Sequence, residues 1–118
     1  DRETRARSLA NLFDAPGVTG YWAEIDGRVA ATAVLFIDGA TAYLAAGSAL
    51  KPYRRRGCHS ALIAARMGAA REAGCDVLVG TTDFNSSSGR NMQRAGLIHA
   101  YTALVWAPEY EKESPWPG

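Results

Sequence analysis

The sequence predicts a single α/β (α+β) domain, built on a mixed, mostly antiparallel sheet with a parallel central pair and flanking helices. Three observations lead there. Asp-Gly pairs at positions 26–27 and 38–39 each separate two apolar runs, and Asp-Gly in that setting signals a hairpin because both central turn positions need positive φ. The third apolar run, ending at Leu50, leads through a glycine-bearing turn into an alanine-rich segment and then a short apolar run at Cys75–Gly80. A strand–helix–strand crossover of this kind joins parallel neighbours. The 118 residues suffice for one domain with one core.

Taken in order, Glu3 to Leu12 reads as an amphipathic helix, with Ala6, Leu9, Ala10 and Phe13 at helical spacing. Asp14-Ala15-Pro16-Gly17 ends it. Strands follow over Gly20–Ile25, Arg28–Ile37 and Thr41–Leu50, an antiparallel meander on the two Asp-Gly turns. The next helix runs from about Gly57 to Ala73, with Ala61, Leu62, Ala65, Met67, Ala69, Ala70 and Ala73 suited to close packing on a sheet and Gly74 as its C-cap. Cys75–Gly80 reads as a buried strand parallel to the one ending at Leu50. Asn85-Ser86-Ser87-Ser88 offers N-caps for a helix from about Ser87 to Ala95, closed by Gly96. Leu97–Trp106 is the last strand, which places the core over residues 18–106 and a polar tail over 107–118.

Composition is that of a globular chain, 47% hydrophobic and 21% charged. A net charge of +1 gives no general pull toward nucleic acid or membrane. The start is charged and has no apolar core of the secretory type, and the longest apolar run, Ala30–Ile37, is too short to cross a bilayer. Cys58 and Cys75 form no disulfide framework or zinc spacing, so a cytoplasmic protein with reduced thiols and no metal is expected. The opening without Met suggests a partial chain.

The concentration of charge is local. Lys51-Pro52-Tyr53-Arg54-Arg55-Arg56-Gly57 joins a strand to a helix start. The first-turn N–H groups of a helix lack intrahelical partners and carry the positive end of the macrodipole, so a phosphate can accept from them directly. Gly57 lets the backbone approach it. The turn is neither a P-loop nor a dinucleotide fingerprint, since neither spacing occurs. Cys58, at that helix start among arginines, is expected to favour thiolate.

Pro52-Tyr53-Arg54-Arg55-Arg56-Gly57-Cys58-His59-Ser60-Ala61-Leu62 resembles the acetyl-CoA loop of the GNAT superfamily of N-acetyltransferases, whose pattern is Arg/Gln-x-x-Gly-x-Gly/Ala. Arg54 and Gly57 match, while His59 stands where a small residue is usual and must point away from the diphosphate or contact it. The family's Asn-x-x-Ala, Leu-Tyr and Gly-Phe elements fall on Asn85, Ser88, Met92 and Gly96-Leu97, with Ser for Ala, Met for Tyr and Leu for Phe. The resemblance covers roughly Gly20 to Trp106. It implies acetyl-CoA as cosubstrate, held by Ala49, Leu50, Arg54, Arg55, Arg56, Gly57, Cys58, His59, Ser60, Asn85 and Ser88. It also implies a further strand and one or two helices ahead of the first hairpin, where only one helix is read here.

Acetyl transfer needs a neutral amine, a group to remove its proton, a donor for the oxyanion and an acid for the leaving thiolate. A backbone N–H near Gly47–Leu50 is the expected oxyanion donor. The family's tyrosine acid falls on Met92, which cannot donate a proton. Tyr101 is the substitute acid, with Tyr43 behind it. Glu24, on a strand where burial could raise its pKa, and Asp83 are the candidate bases. His59 lies toward the diphosphate end, and His99 is expected on the surface.

Two readings follow: an N-acetyltransferase acting on an amine of a small molecule or protein, and a degenerate domain of the same fold that binds CoA or a partner protein without catalysis. A nucleic-acid binder using the arginine triplet is the third, opposed by the near-zero net charge. A homodimer or a missing N-terminal lobe would complete the sheet.

Overall fold

A computed structural model of the chain describes residues 4–11, 14–54, 56–82, 86–104 and 106. Its first element departs from expectation. Thr4–Ala10 is a strand, β1, not a helix, and pairs antiparallel along the whole of β2 (Val18–Ile25), with Arg5 opposite Glu24 and Arg7 opposite Trp22. The apolar residues of this segment fit helical spacing, yet Thr4 and Ala6 also alternate with Arg5 and Arg7, and strand pairing with β2 decides between the two patterns. β1 thus stands in the place of the first strand implied by the resemblance.

β2 turns through Asp26 and Gly27, both at positive φ (52° and 78°), into β3 (Arg28–Asp38). β3 turns through Gly39-Ala40, one residue later than the Asp-Gly reading, into β4 (Thr41–Ala49). A short 3₁₀ turn at Lys51–Tyr53 leads to helix α1 (Cys58–Glu72), which returns across the sheet to β5 (Val77–Gly80). Helix α2 (Ser87–Arg94) follows, with Ser86 Oγ accepting from the Gly89 N–H at 3.1 Å.

Among the described residues the sheet order is β1-β2-β3-β4-β5, antiparallel except for the parallel pair β4–β5. That pair forms an edge of the sheet. β5 is consequently not the buried strand its apolar run suggested: Val77 and Val79 face out and are half or more than a third exposed (50% and 38%). The segment at 97–104, expected as the last strand, takes no regular structure. The expected polar tail at 107–118 lies outside the described residues.

One face of the sheet is covered by α1. Tyr21, Ala23 and Ile25 of β2, Ala31, Ala33 and Leu35 of β3, and Ala42 and Leu44 of β4 are buried against Cys58, Leu62, Ile63 and Ala70 of the helix. Alanines on both surfaces let helix and sheet approach closely. On the opposite face Phe36 and Tyr43 stack at 5.8 Å between ring centroids. No helix among the described residues is long and apolar enough to cross a membrane.

Candidate functional site

Two irregularities in the sheet meet at one end of it. Along β3 and β4, Val34 pairs with Ala45 and Thr32 with Ser48, so Ala33 alone stands opposite both Ala46 and Gly47. This is a bulge in β4, and it interrupts the ladder beside its last residues. Along β4 and β5, pairing stops at Leu44–Gly80. Beyond that point Ala45–Ala49 have no β5 partner, and the two parallel strands part at their C-terminal ends, where α/β sheets bind ligands.

The turn into α1 closes the same end. Leu50 N–H donates to the Ala30 carbonyl at 2.9 Å, so this amide is committed to the sheet and is not a free oxyanion donor. The remaining candidates for that role are the amides at the bulge. Arg54 Nε donates to the Ala49 carbonyl at 3.4 Å, and the rest of its exposed side chain reaches into solvent. Thr4 Oγ1 donates to the Arg56 carbonyl at 3.4 Å and ties the turn to β1. Gly57 is left-handed at φ 81° and caps α1 with no side chain. A Cβ built there meets nothing within 4 Å, so the space over its backbone is open. Ala61 N–H donates to the Gly57 carbonyl at 2.9 Å as the first i−4 bond, which leaves the amides of Cys58, His59 and Ser60 ahead of the intrahelical ladder. A glycine backbone, first-turn amides and two exposed arginines form a cradle that fits a diphosphate.

The individual side chains divide. Ser60 is exposed on the first turn of α1 and Ser88 is half-buried on the first turn of α2. Ala49 is half-buried at the end of β4. Arg55, Asp83 and Asn85 lie outside the described residues. Cys58 is buried, and burial pushes its thiol up, with Arg56 opposing less strongly. The expected thiolate is therefore absent, because desolvation outweighs the arginine field. His59 turns its ring away from the diphosphate cradle: a Cβ on Gly47 would stand 3.4 Å from His59 Cε1, so the imidazole packs on the bulge. Its Nε2 is buried with no hydrogen-bond partner among the described residues, and burial, then Arg66, push its pKa down.

Of the two candidate proton-handling residues, register brings Glu24 to this end, since its neighbour Ala23 pairs with Ala31 and Ala31 with Ala49. Glu24 lies on the outer face of β2, where Trp22 Nε1 donates to it at 2.8 Å and Arg7 Nε sits 3.0 Å away. These contacts, the indole bond first, lower its pKa instead of raising it. Tyr101 is 80% exposed on the irregular segment after α2. Met92, by contrast, falls where the family register placed its acid: a Cβ on Gly80 would come within 2.7 Å of Met92 Sδ, at the point where β5 leaves β4.

Arg66 is the site residue that sequence reasoning passed over. Its side chain is 1% exposed beneath β3 and β4, and its signal was the i, i+4 stripe Cys58, Leu62, Arg66, Ala70 on an otherwise apolar helix face. Burial holds its pKa down to about 10, with Tyr21 opposing, so it stays cationic at neutral pH. Two hollows, of about 330 Å³ and about 460 Å³, flank the outer side of α1 at Ala64 and Gly68. Neither includes a residue of the Arg54–His59 turn, and the cradle is an open surface across which an extended ligand would lie.

Residues 1–97 match the acetyltransferase (GNAT) family. The chain belongs to this family. Similar solved structures agree on the fold. The aminoglycoside N-acetyltransferase AAC(6')-Iy, with the bisubstrate analogue CoA-S-monomethyl-acetylneamine, superposes with a TM-score of 0.71 at 15% identity, over 90% of this chain and 98% of that one. A Trypanosoma brucei acetyltransferase gives 0.71 at 16% identity, over 89% and 99%. Glucosamine-6-phosphate N-acetyltransferase from Arabidopsis thaliana gives 0.68 at 12% identity, over 77% and 67%. No curated protein matches the sequence. Within the GNAT family, the strand parting, the bulge and the Arg54-x-x-Gly57 turn are the features of this chain that fit acetyl-CoA.

Proposed function

We propose that this GNAT domain transfers an acetyl group from acetyl-CoA to an amine of a small molecule or protein. The observation that carries the reading is the coincidence, at one end of the sheet, of the β4–β5 parting with the Gly57 turn at the start of α1. Arg54, Arg56 and the first-turn amides of α1 would hold the diphosphate, with Arg55, Asn85 and Ser88 as further proposed contacts. The pantetheine arm would run between the parted strands, and the acyl carbonyl would accept from a backbone N–H at the β4 bulge. Attack by a neutral amine forms the C–N bond, and collapse breaks the C–S bond with the electron pair on sulfur. Glu24, ionised and shared between Trp22 and Arg7, is a weak base, so the amine is proposed to arrive neutral and to lose its proton to water. Tyr101 is the proposed donor to the thiolate. A cytoplasmic location belongs to the same proposal, consistent with the free thiols of Cys58 and Cys75.

A second reading has one observation in its favour. Met92 packs on Gly80, and the resemblance puts the family's acid at this residue, which suits a domain that binds CoA or a partner protein without catalysis. Calorimetric titration of acetyl-CoA and CoA into the wild type and an Arg54→Ala, Arg56→Ala double variant tests the site. Acetylation of an amine panel (an aminoglycoside, glucosamine 6-phosphate, a lysine peptide) tests the chemistry. Micromolar binding lost in the double variant, with acetyl transfer to any amine, is the expected result. Binding without transfer moves the domain to the second reading, and a folded wild type that binds neither ligand overturns both CoA readings.

A further inference from the structure

The bulge in β4 has a support that neither the turn nor the cofactor motif supplies. Arg66, on the third turn of α1 along its buried stripe, sends its guanidinium under the sheet. Nη1 donates to the Val34 carbonyl at 3.0 Å and to the Ala45 carbonyl at 3.4 Å, while Nε donates to the Leu62 carbonyl of the preceding helical turn at 3.0 Å. Val34 and Ala45 are the last regular pair before the bulge. The guanidinium therefore ties β3, β4 and α1 together at the residue where the β4 ladder breaks. All three of these bonds go to carbonyl oxygens.

Packing alone does not call for this residue. A buried cation is expensive, and an apolar side chain of similar length fills such a volume at no electrostatic cost. What an apolar chain cannot do is donate to two strands at once. A bulge leaves ladder groups without their regular partners, and the two N–H groups of Nη1 reach one carbonyl on each strand while Nε, held by the same rigid plane, bonds the helix. From the other side of the bulge the His59 ring rests on Gly47. The extra residue of β4 is thus gripped at both ends, Ala45 by Arg66 and Gly47 by His59.

We propose that Arg66 is a positioning residue for acyl transfer: buried under the sheet, it holds the carbonyls at the start of the β4 bulge and so aims the bulge amides at the acyl carbonyl. The proposal rests on the acetyltransferase reading, because only a reaction that builds charge on that carbonyl oxygen uses such aim. It concerns the step after binding. Arg66 lies in the core beneath the sheet, away from the exposed diphosphate cradle, so its loss should change turnover and leave CoA affinity nearly intact.

The test uses the whole chain with Arg66→Lys and Arg66→Met. Lysine keeps the charge and loses the fork; methionine loses both. Folding is followed by circular dichroism, CoA affinity by calorimetry, kcat and KM by acetylation of whichever panel amine the wild type accepts, and amide hydrogen exchange is read residue by residue. The expected result for Arg66→Lys is a folded protein whose CoA affinity stays within about threefold of wild type. Its kcat falls at least about tenfold, the scale of an acyl group misplaced by a fraction of an ångström, and faster exchange is confined to the amides of Ala46–Ser48. Arg66→Met should lose more turnover with the same exchange signature; if it does not fold, the lysine variant decides. Wild-type turnover in a folded Arg66→Lys protein overturns the proposal, and so does a parallel loss of CoA affinity, kcat and exchange protection across the whole core. Should the wild type bind no CoA and acetylate nothing, the acetyltransferase reading fails, and the aim proposed for Arg66 falls with it whatever the exchange pattern.

Discussion

Gly57 offers the sharpest separation of stability from binding. Its backbone sits at φ 81° and a Cβ there would touch nothing within 4 Å, so Gly57→Ala introduces no clash in the free protein. The cost is conformational. An L-residue in the left-handed region loses about 1–2 kcal/mol, offset by about 0.4–1 kcal/mol from the smaller entropy of the unfolded alanine chain. The net is about 1 kcal/mol, which for a domain of this size lowers Tm by about 4 °C. Gly57→Asn tolerates the same backbone region better and should lose less than half of that. Binding follows a different rule, because both variants carry the Cβ that the glycine lacks. If the Gly57 backbone lies against the diphosphate, each should weaken acetyl-CoA binding by about tenfold or more, worth about 1.4 kcal/mol. Thermal melts and calorimetric titrations of the three proteins read the two effects. An asparagine variant that binds acetyl-CoA like the wild type would refute the placement of the ligand over this turn. An alanine variant with unchanged Tm would refute the conformational argument.

Two other outcomes follow from the charges. Glu24 has its pKa lowered below the usual 4.5 by the Trp22 and Arg7 contacts. It therefore contributes stability above that unfolded-state value, and the contribution is lost as pH falls through the folded value. Urea melts between pH 7 and pH 3 should show the wild type losing more stability than Glu24→Gln across the acid limb, and parallel curves would remove the contact from the energetics. Cys58 is buried with its thiol pushed up, whereas Cys75 is half-buried at the end of the crossover. Alkylation of the native protein at pH 7.5, mapped by mass spectrometry, should modify Cys75 first and Cys58 only on unfolding. Equal rates would mean that the first turn of α1 is not packed as described.

The parts of the fold that were legible share a physical property: their signal is local. Asp26-Gly27 specifies a turn by its own φ requirement, and α1 shows itself in an alanine-rich run between Gly57 and Gly74. Two of the misreadings, at β1 and β5, depend on neighbours. Thr4–Ala10 has apolar residues at helical spacing and also alternates, and only the presence of β2 beside it settles the strand. Val77–Gly80 is apolar throughout, yet only one face is partly buried and the other, with Val77 and Val79, is exposed. Continuous apolar character marks a buried strand only when both faces are covered, and coverage is not written in the strand itself.

The site divides along a related line. The proposed diphosphate contacts Arg54 and Gly57 belong to one short, contiguous piece of backbone, so for them spacing in sequence is spacing in space. The proton-handling residues come from separate strands and loops, and their fitness depends on environment. Glu24 had the right chemistry and the wrong surroundings: an indole, an arginine and an outer sheet face hold it ionised. Arg66 is the converse case. In sequence it is one more arginine in an arginine-rich chain, and an exposed helix arginine would read the same. Its position on the Cys58-Leu62-Ala70 stripe places it under the sheet, but only the register of β3 against β4 shows that the carbonyls it meets stand at the start of a bulge. A residue that acts by holding backbone leaves no motif, because its partners are peptide groups that any side chain could carry. For this domain, the proposed cofactor cradle is therefore read from sequence, and the geometry proposed to use the cofactor is read from strand register.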